Sequence, residues 1–139
     1  MQYSFTLIKG LLYLLLSLTP AGFQQYNEDV ITSPPPEPLQ TYELPVIKTH
    51  TSDNEPCSLT VSISLAFSMD KDPELKQEIE SRQDEICHMI NIILAGKRYE
   101  DLDSVDDKVN LAEEIRTHLN VLLKKGGIRE IYYKRFLVE

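Results

Sequence analysis

The feature that most restricts the fold is residues 59–67, in which large apolar side chains alternate without interruption with small side chains, most of them polar. One set is Leu59, Val61, Ile63, Leu65 and Phe67, and the other is Thr60, Ser62, Ser64 and Ala66. A period of two places successive side chains on opposite faces of a β-strand. The stretch therefore predicts a strand with one buried face and one polar face, and the domain must contain a sheet.

Two long helices are predicted after this strand. Asp72 is a favoured residue type at a helix start, and Gly96 ends the first helix. Ser104, with Asp107 three positions later, has the capping-box pattern, and a Gly pair at 126–127 ends the second helix. The predicted apolar faces are Leu75, Ile79, Ile86, Ile90 and Ile93 in the first helix, and Val105, Val109, Ala112, Ile115, Leu119 and Leu122 in the second.

Two further strands are predicted on either side of these elements. Residues 42–48 alternate and indicate an edge strand that tolerates Pro45, and residues 128–138 are rich in branched and aromatic side chains. In the last strand we expect Ile131, Tyr133 and Leu137 on one face and Tyr132, Phe136 and Val138 on the other. The prediction is an α+β fold in the order β-β-α-α-β, with a small antiparallel sheet of about three strands packed on two long helices.

The amino-terminal segment is almost continuously apolar from residue 5 to 18 and is interrupted only by Lys9. A signal peptide cleaved after Ala21 and an uncleaved membrane anchor both fit it, and the residues alone slightly favour cleavage. The apolar residues assigned to this segment are Phe5, Leu11, Leu12, Leu14, Leu15, Leu16 and Leu18. We therefore divide the chain into a membrane or signal segment (1–23), a tether (24–41) and a folded domain (42–139).

The tether is rich in proline and acidic residues, including the run Ser33-Pro-Pro-Pro-Glu-Pro. Such a run favours extended polyproline geometry. A spacer that holds a domain away from a bilayer is favoured over a proline-rich ligand for another module, because no repeated Pro-x-x-Pro register is sustained.

Charge and composition exclude several classes of function. The formal net charge of −8 is a poor match for a phosphate backbone, so nucleic acid is not expected as a partner. The two cysteines, Cys57 and Cys87, could form a disulfide, but two free thiols are favoured. His50, His88 and His118 show no zinc-site spacing. His88 is expected on a polar helix side, and His118 is expected to pack at the border of the apolar face of the second helix. No catalytic constellation is found, so we predict no metal, no cofactor and no enzymatic activity.

Two clusters of charge remain as candidate surfaces. The acidic cluster, residues 100–107, is best explained as a helix start with favourable dipole charges, since no calcium-loop spacing is present. The basic positions are Lys124, Lys125, Arg129, Lys134 and Arg135. They fit helix termination and solvated strand positions, or a self-association edge that meets an acidic surface of a neighbouring copy.

The order of these elements resembles the periplasmic domain of the FliL family of flagellar basal body-associated proteins. The resemblance covers residues 42–139 and rests on four segments: SLTVSISLAFS, DPELKQEIESRQDEICHMINIILAGKRYEDL, LAEEIRTHLNVLL and IREIYYKRFLVE. No single segment is specific; their order and spacing carry the resemblance. The usual basic cytoplasmic residues are absent apart from Lys9.

The resemblance implies a single-pass protein of the bacterial inner membrane, at the flagellar basal body, with a stomatin-like domain in the periplasm. It implies homo-oligomeric rings that act on stator proteins of the MotA/MotB type and support rotation and motility, without enzymatic activity. It also reverses the choice at the amino terminus in favour of an uncleaved anchor. The alternative is a secreted or periplasmic binding domain released by cleavage.

Overall fold

The computed structural model describes residues 36–139, so the predicted membrane segment and most of the predicted tether lie outside the described residues. Residues Glu37–Glu139 form one compact unit. The strands are β1 (Gln40–Glu43), β2 (Ile47–His50), β3 (Ser58–Phe67) and β4 (Glu130–Val138), and the helices are α1 (Leu75–Ser81), α2 (Gln83–Ala95) and α3 (Val105–Leu122), with a short 3-10 helix at Tyr99–Asp101.

The sheet is antiparallel and is centred on β3. One edge of β3 pairs along its length with β4, and the other edge pairs with β1 in one half and with β2 in the other. The predicted single strand over 42–48 is therefore wrong: it is two strands separated at Leu44, Pro45 and Val46. Because Pro45 has no N–H to donate to a ladder, the chain leaves the sheet there. The α+β class is confirmed, but the sheet has four strands, and the order β-β-α-α-β is wrong.

A register shift in β4 changes which side chains face the helices. Ser62 lies opposite Arg135 and Ile63 lies opposite Tyr133, so Lys134 is an extra residue in a bulge. An extra residue reverses the alternation beyond it, so Phe136 lies opposite Val61 on the apolar face and Leu137 lies opposite Thr60 on the polar face. The expected grouping of Leu137 with Ile131 and Tyr133 is therefore wrong.

The first predicted helix is divided in two at Arg82, whose φ of −111° and ψ of 18° are not helical. The guanidinium of Arg82 donates to the carbonyl oxygen of Leu122 at 2.7 Å and to the carboxylate of Glu85 at 2.8 Å. The break between α1 and α2 therefore sits against the carboxyl end of α3, where a helix has unpaired carbonyl groups.

The core lies between the apolar face of the sheet and the helices. Its fully buried helical residues are Leu75, Ile79, Ile86, Ile90, Leu94, Ile115 and Leu119. The prediction for the first helical region is confirmed except that Leu94, rather than the partly buried Ile93, completes the stripe. In α3 the prediction is wrong at Val105 and Val109, which are 76% and 56% exposed, while Leu111 is buried.

The reason for the difference in α3 is the way this helix contacts β4. The hydroxyl of Tyr133 donates to the carbonyl oxygen of Lys108 at 2.9 Å, and the ammonium of Lys108 lies 5.3 Å from the ring centre of Phe136. Lys108 thus covers the aromatic end of β4, and the stripe that continues from it is Leu111, Ile115 and Leu119.

We expect Gly126→Ala to destabilise the domain by about 1–3 kcal/mol, because an added methyl group there has no space. A Cβ built on Gly126 would lie 2.3 Å from Cγ of Asp72, whose carboxylate accepts a hydrogen bond from the backbone N–H of Gly127. Gly127→Ala is the matched control, since its Cβ would meet nothing closer than 3.6 Å. Urea unfolding of both variants measures the difference, and equal stability losses would contradict it.

Candidate interaction surfaces

The described residues that could bind a metal ion do not lie close together. Within residues 36–139 no group of three or more His, Cys, Asp or Glu side chains is placed to hold a metal ion. His50 lies in β2, whereas His88 and His118 lie on α2 and α3 and line one groove. The expectation that His118 packs in the structure is wrong: it is exposed, and its Nδ1 lies 2.8 Å from the carbonyl oxygen of Glu114.

Both cysteines are free thiols, as the sequence favours. Cys57 and Cys87 are half-buried. Burial, followed by the nearby charge of Asp84, raises the pKa of the Cys87 thiol. A raised pKa lowers the thiolate fraction, and the thiolate is the nucleophilic form. Cys87 therefore lacks the electropositive setting of a reactive cysteine.

Lys124 and Lys125 lie at the carboxyl end of α3, against α1. Their backbone N–H groups donate to the carboxylate of Glu78 at 2.8 Å each. The Lys125 ammonium also forms an ion pair with Glu74 at 3.4 Å. These two lysines thus serve the α1–α3 junction, and their backbone accounts for more of the contact than their charges.

The other three basic positions lie elsewhere. Lys134 reaches from β4 across β3 to the carboxylate of Glu43 at 2.7 Å, which lowers the pKa of Glu43. Arg129 precedes β4, and Arg135 lies opposite Ser62 on the polar sheet face. Among the described residues neither arginine forms an ion pair. The structure therefore does not bring the five predicted basic positions together as one edge.

The polar face of the sheet is the side away from the helices. Tyr132, opposite Ser64, is 47% exposed on this face. Ser64 itself is fully buried, and its hydroxyl has no hydrogen-bond partner in the part of the chain that the structure describes. Side chains with hydroxyl groups and charges keep this face soluble, as the alternation in β3 predicts.

The acidic cluster is a set of helix and turn caps. Ser104 and Asp107 form the predicted capping box: the Asp107 N–H donates to the Ser104 hydroxyl at 3.0 Å, and the Ser104 N–H donates to the Asp107 carboxylate at 3.2 Å. The Ser104 hydroxyl, which interacts with the Asp107 carboxylate, is the main reason that the pKa of Asp107 is lowered. Asp53, from the β2–β3 connection, accepts from the Tyr99 N–H at 2.9 Å and brings further charge to this end. We call this region the acidic end.

The chain enters the domain at the opposite end of the sheet. Gln40, the first residue of β1, lies opposite Phe67, the last residue of β3. Just before β1, Glu37 forms an ion pair with Lys71 at 3.5 Å, and its pKa is lowered chiefly by the Ser68 hydroxyl. The acidic end, by contrast, adjoins the first residue of β3 through the β2–β3 connection. The long axis of β3 therefore separates the point of chain entry from the acidic end.

An apolar groove lies between α2 and α3. Its volume is about 370 Å³, and its floor and walls are mainly aliphatic. The lining residues are Glu85, His88, Met89, Ile92, Ile93, His118 and Leu122. Ile92 is 60% exposed and lies on the same exposed side of α2 as Glu85 and His88. Sequence reasoning missed the groove because it treated the two helices separately.

No helix within residues 36–139 is long and apolar enough to cross a membrane. The predicted membrane segment, with Phe5 and Leu11 to Leu18, lies outside the described residues.

A comparison with family models matches residues 41–138 to the family described as flagellar basal body-associated protein FliL. The matched region spans every strand and helix that the structure describes except the first residue of β1. A search of curated proteins gave no significant match.

Proposed function

Because the chain belongs to the FliL family of flagellar basal body-associated proteins, we propose that it is a membrane-tethered accessory of the flagellar motor that associates with the stator and supports rotation. The observation that carries the proposal is the family match over residues 41–138. The proposed place is the bacterial inner membrane, with one membrane pass in residues 1–23 and the domain in the periplasm. The expected stomatin-like character of the fold is part of the same proposal.

The geometry of the domain supports a tethered arrangement. The chain enters at the end of the sheet where Glu37 contacts Lys71, and the acidic end lies at the far end of β3. A tether that leads from a bilayer to Glu37 would present the acidic end away from the membrane. A stator protein that projects from the same membrane would then contact the sides or the far end of this domain.

The proposed mechanism is non-enzymatic. A protein that binds one state of a channel more tightly than another shifts the population towards that state. Copies of this chain would favour the open state of the stator over the plugged state through such differential binding. The same proposal includes rings of copies. Lys124, Arg129 and Arg135 are the basic positions available for contacts between copies, since Lys125 and Lys134 already form ion pairs.

We expect motility to depend on the tether. In a strain that lacks the native copy, the full chain and residues 24–139 behind an unrelated single-pass anchor should both restore spreading in soft agar. Residues 24–139 behind a cleavable signal should not, because a released domain is no longer concentrated at the stator. Immunoblots would confirm equal amounts of each protein.

Full restoration by the released domain would contradict the tethered mechanism. That outcome would agree instead with a free periplasmic binding domain, an alternative to which the family comparison gives no support.

A further inference from the structure

Two short strands, β1 and β2, lie on the same edge of β3 but are held to the domain in different ways. None of the four residues of β1 is buried. Its one contact with the core is the partly buried ring of Tyr42, whose hydroxyl donates to Oε1 of Gln83 at 2.6 Å. β2, by contrast, buries Ile47 and packs against α2. β2 therefore belongs to the core, whereas β1 lies at its border.

Ion pairs at the surface hold the two ends of β1. Just before the strand, Glu37 pairs with Lys71 at 3.5 Å, and at its last residue Glu43 pairs with Lys134 at 2.7 Å. The Lys71 side chain is 62% exposed, and the Glu43 side chain is 68% exposed. Exposed ion pairs contribute little to stability. Both contacts can therefore break without disturbing the core.

The rest of the sheet does not depend on β1. β3 pairs with β4 along its other edge over residues 59–66, so it keeps a partner strand when β1 is absent. Leu44, which follows β1, is only 5% exposed, and its N–H donates to the carbonyl oxygen of Ile63 at 3.0 Å. A detached β1 would therefore end at a residue that stays fixed in the core.

We propose that residues 37–43 are a strap that detaches from β3 as one unit while Leu44 and the rest of the domain stay folded. With the strap closed, the chain enters at Glu37 and runs in the direction that β3 sets. With the strap open, these seven residues become a flexible link that spans at most about 23 Å, and the domain pivots about Leu44. The inference goes beyond the proposed function, because it concerns the domain itself and holds whether or not the chain meets a stator.

Two amides of β3 report on the two edge strands separately. Hydrogen bonds in an antiparallel ladder fall at alternate pairs, so the bond from Leu44 to Ile63 indicates that the Leu65 N–H also points to β1. The same alternation directs the N–H of Val61 to β2. Leu65 and Val61 are both fully buried, on the same face of the same strand. Their amides therefore differ chiefly in the edge strand that they meet.

Hydrogen exchange of the full chain in detergent micelles, followed by nuclear magnetic resonance, compares these two amides. After correction for intrinsic exchange rates, the Leu65 amide should exchange about 100-fold faster than the Val61 amide, because opening of the strap frees it without unfolding the domain. Equal protection of the two amides would overturn the proposal, since β1 would then open only when the whole sheet does.

A disulfide that closes the strap gives a second test. Thr41 lies opposite Ala66 between two hydrogen-bonded pairs, where the Cα atoms of antiparallel strands are about 4.5 Å apart, within disulfide range. The background is the full chain with Cys57→Ser and Cys87→Ala, so that only the introduced cysteines pair. After oxidation of Thr41→Cys/Ala66→Cys, the Leu65 amide should exchange about 100-fold more slowly than in the reduced form. Equal exchange in the oxidised and reduced forms would overturn the proposal, because the opening would then not involve β1.

Discussion

Replacing Leu65 with alanine should destabilise the domain by about 3–4 kcal/mol. Leu65 is fully buried in the middle strand and lies opposite Ile131 on the apolar face of the sheet. Truncation removes apolar contacts and leaves a cavity between the sheet and the helices, which a packed core fills only in part. Urea unfolding monitored by circular dichroism measures the loss as a lower midpoint with an unchanged slope.

Leu137→Ala is the matched control for this prediction. Leu137 is also a leucine in the same sheet, but the bulge at Lys134 places it opposite Thr60 on the polar face. Because it is only half-buried, its truncation should cost about 1 kcal/mol or less. Equal losses for the two leucines would contradict the assignment of faces and would indicate that the alternation continues through β4 without a bulge.

Glu78→Ala should be the most damaging change to a charged residue, at about 2–3 kcal/mol. Only 9% of the Glu78 side chain is exposed, and its carboxylate accepts the N–H groups of Lys124 and Lys125. The same carboxylate lies 3.6 Å from the guanidinium of Arg82. Truncation would leave two backbone donors without their acceptor and would separate α1 from the end of α3.

Glu85→Ala separates this effect from the loss of an ion pair alone. Glu85 also bonds Arg82, at 2.8 Å, but its side chain is 60% exposed. Exposed ion pairs contribute about 0–1 kcal/mol, so this variant should unfold near the midpoint of the native chain. Thermal and urea unfolding at low protein concentration compare the two. A Glu78→Ala variant as stable as Glu85→Ala would show that the junction does not depend on the buried carboxylate.

Much of the fold could be predicted because its local signals agree. The alternation in 59–67 specifies β3, and the Ser104–Asp107 pair specifies the start of α3 by a hydrogen-bond pattern that is entirely local. The stripe of Leu75, Ile79, Ile86 and Ile90 likewise depends only on helical spacing. Such features depend on residues that are close together in the chain, so they can be predicted from the sequence.

The errors in the predicted fold arise where a contact distant in the chain decides the outcome. The bulge at Lys134 has no local marker, and its ion pair with Glu43 joins β4 to β1 across β3. The break at Arg82 sits where its guanidinium meets Leu122, forty positions away. Pro45 is the exception, since its missing N–H could have marked the break between β1 and β2.

The sequence did not predict the apolar groove between α2 and α3 for a similar reason. His88 and His118 look unrelated along the chain, yet they line one groove because α2 and α3 lie side by side. The available signal was Met89 and Ile92, two apolar residues that lie outside both the predicted and the observed stripe of α2. A second apolar side on one helix indicates a contact beyond the sheet.

Affinity purification of the tagged full chain from solubilised membranes tests the central claim most directly. We expect the chain in the membrane fraction, with an intact amino terminus, and we expect stator proteins to co-purify with it. The same tag on residues 24–139 behind a cleavable signal should recover little or no stator protein. A soluble chain that begins at Gly22 and co-purifies with no stator protein would contradict the account.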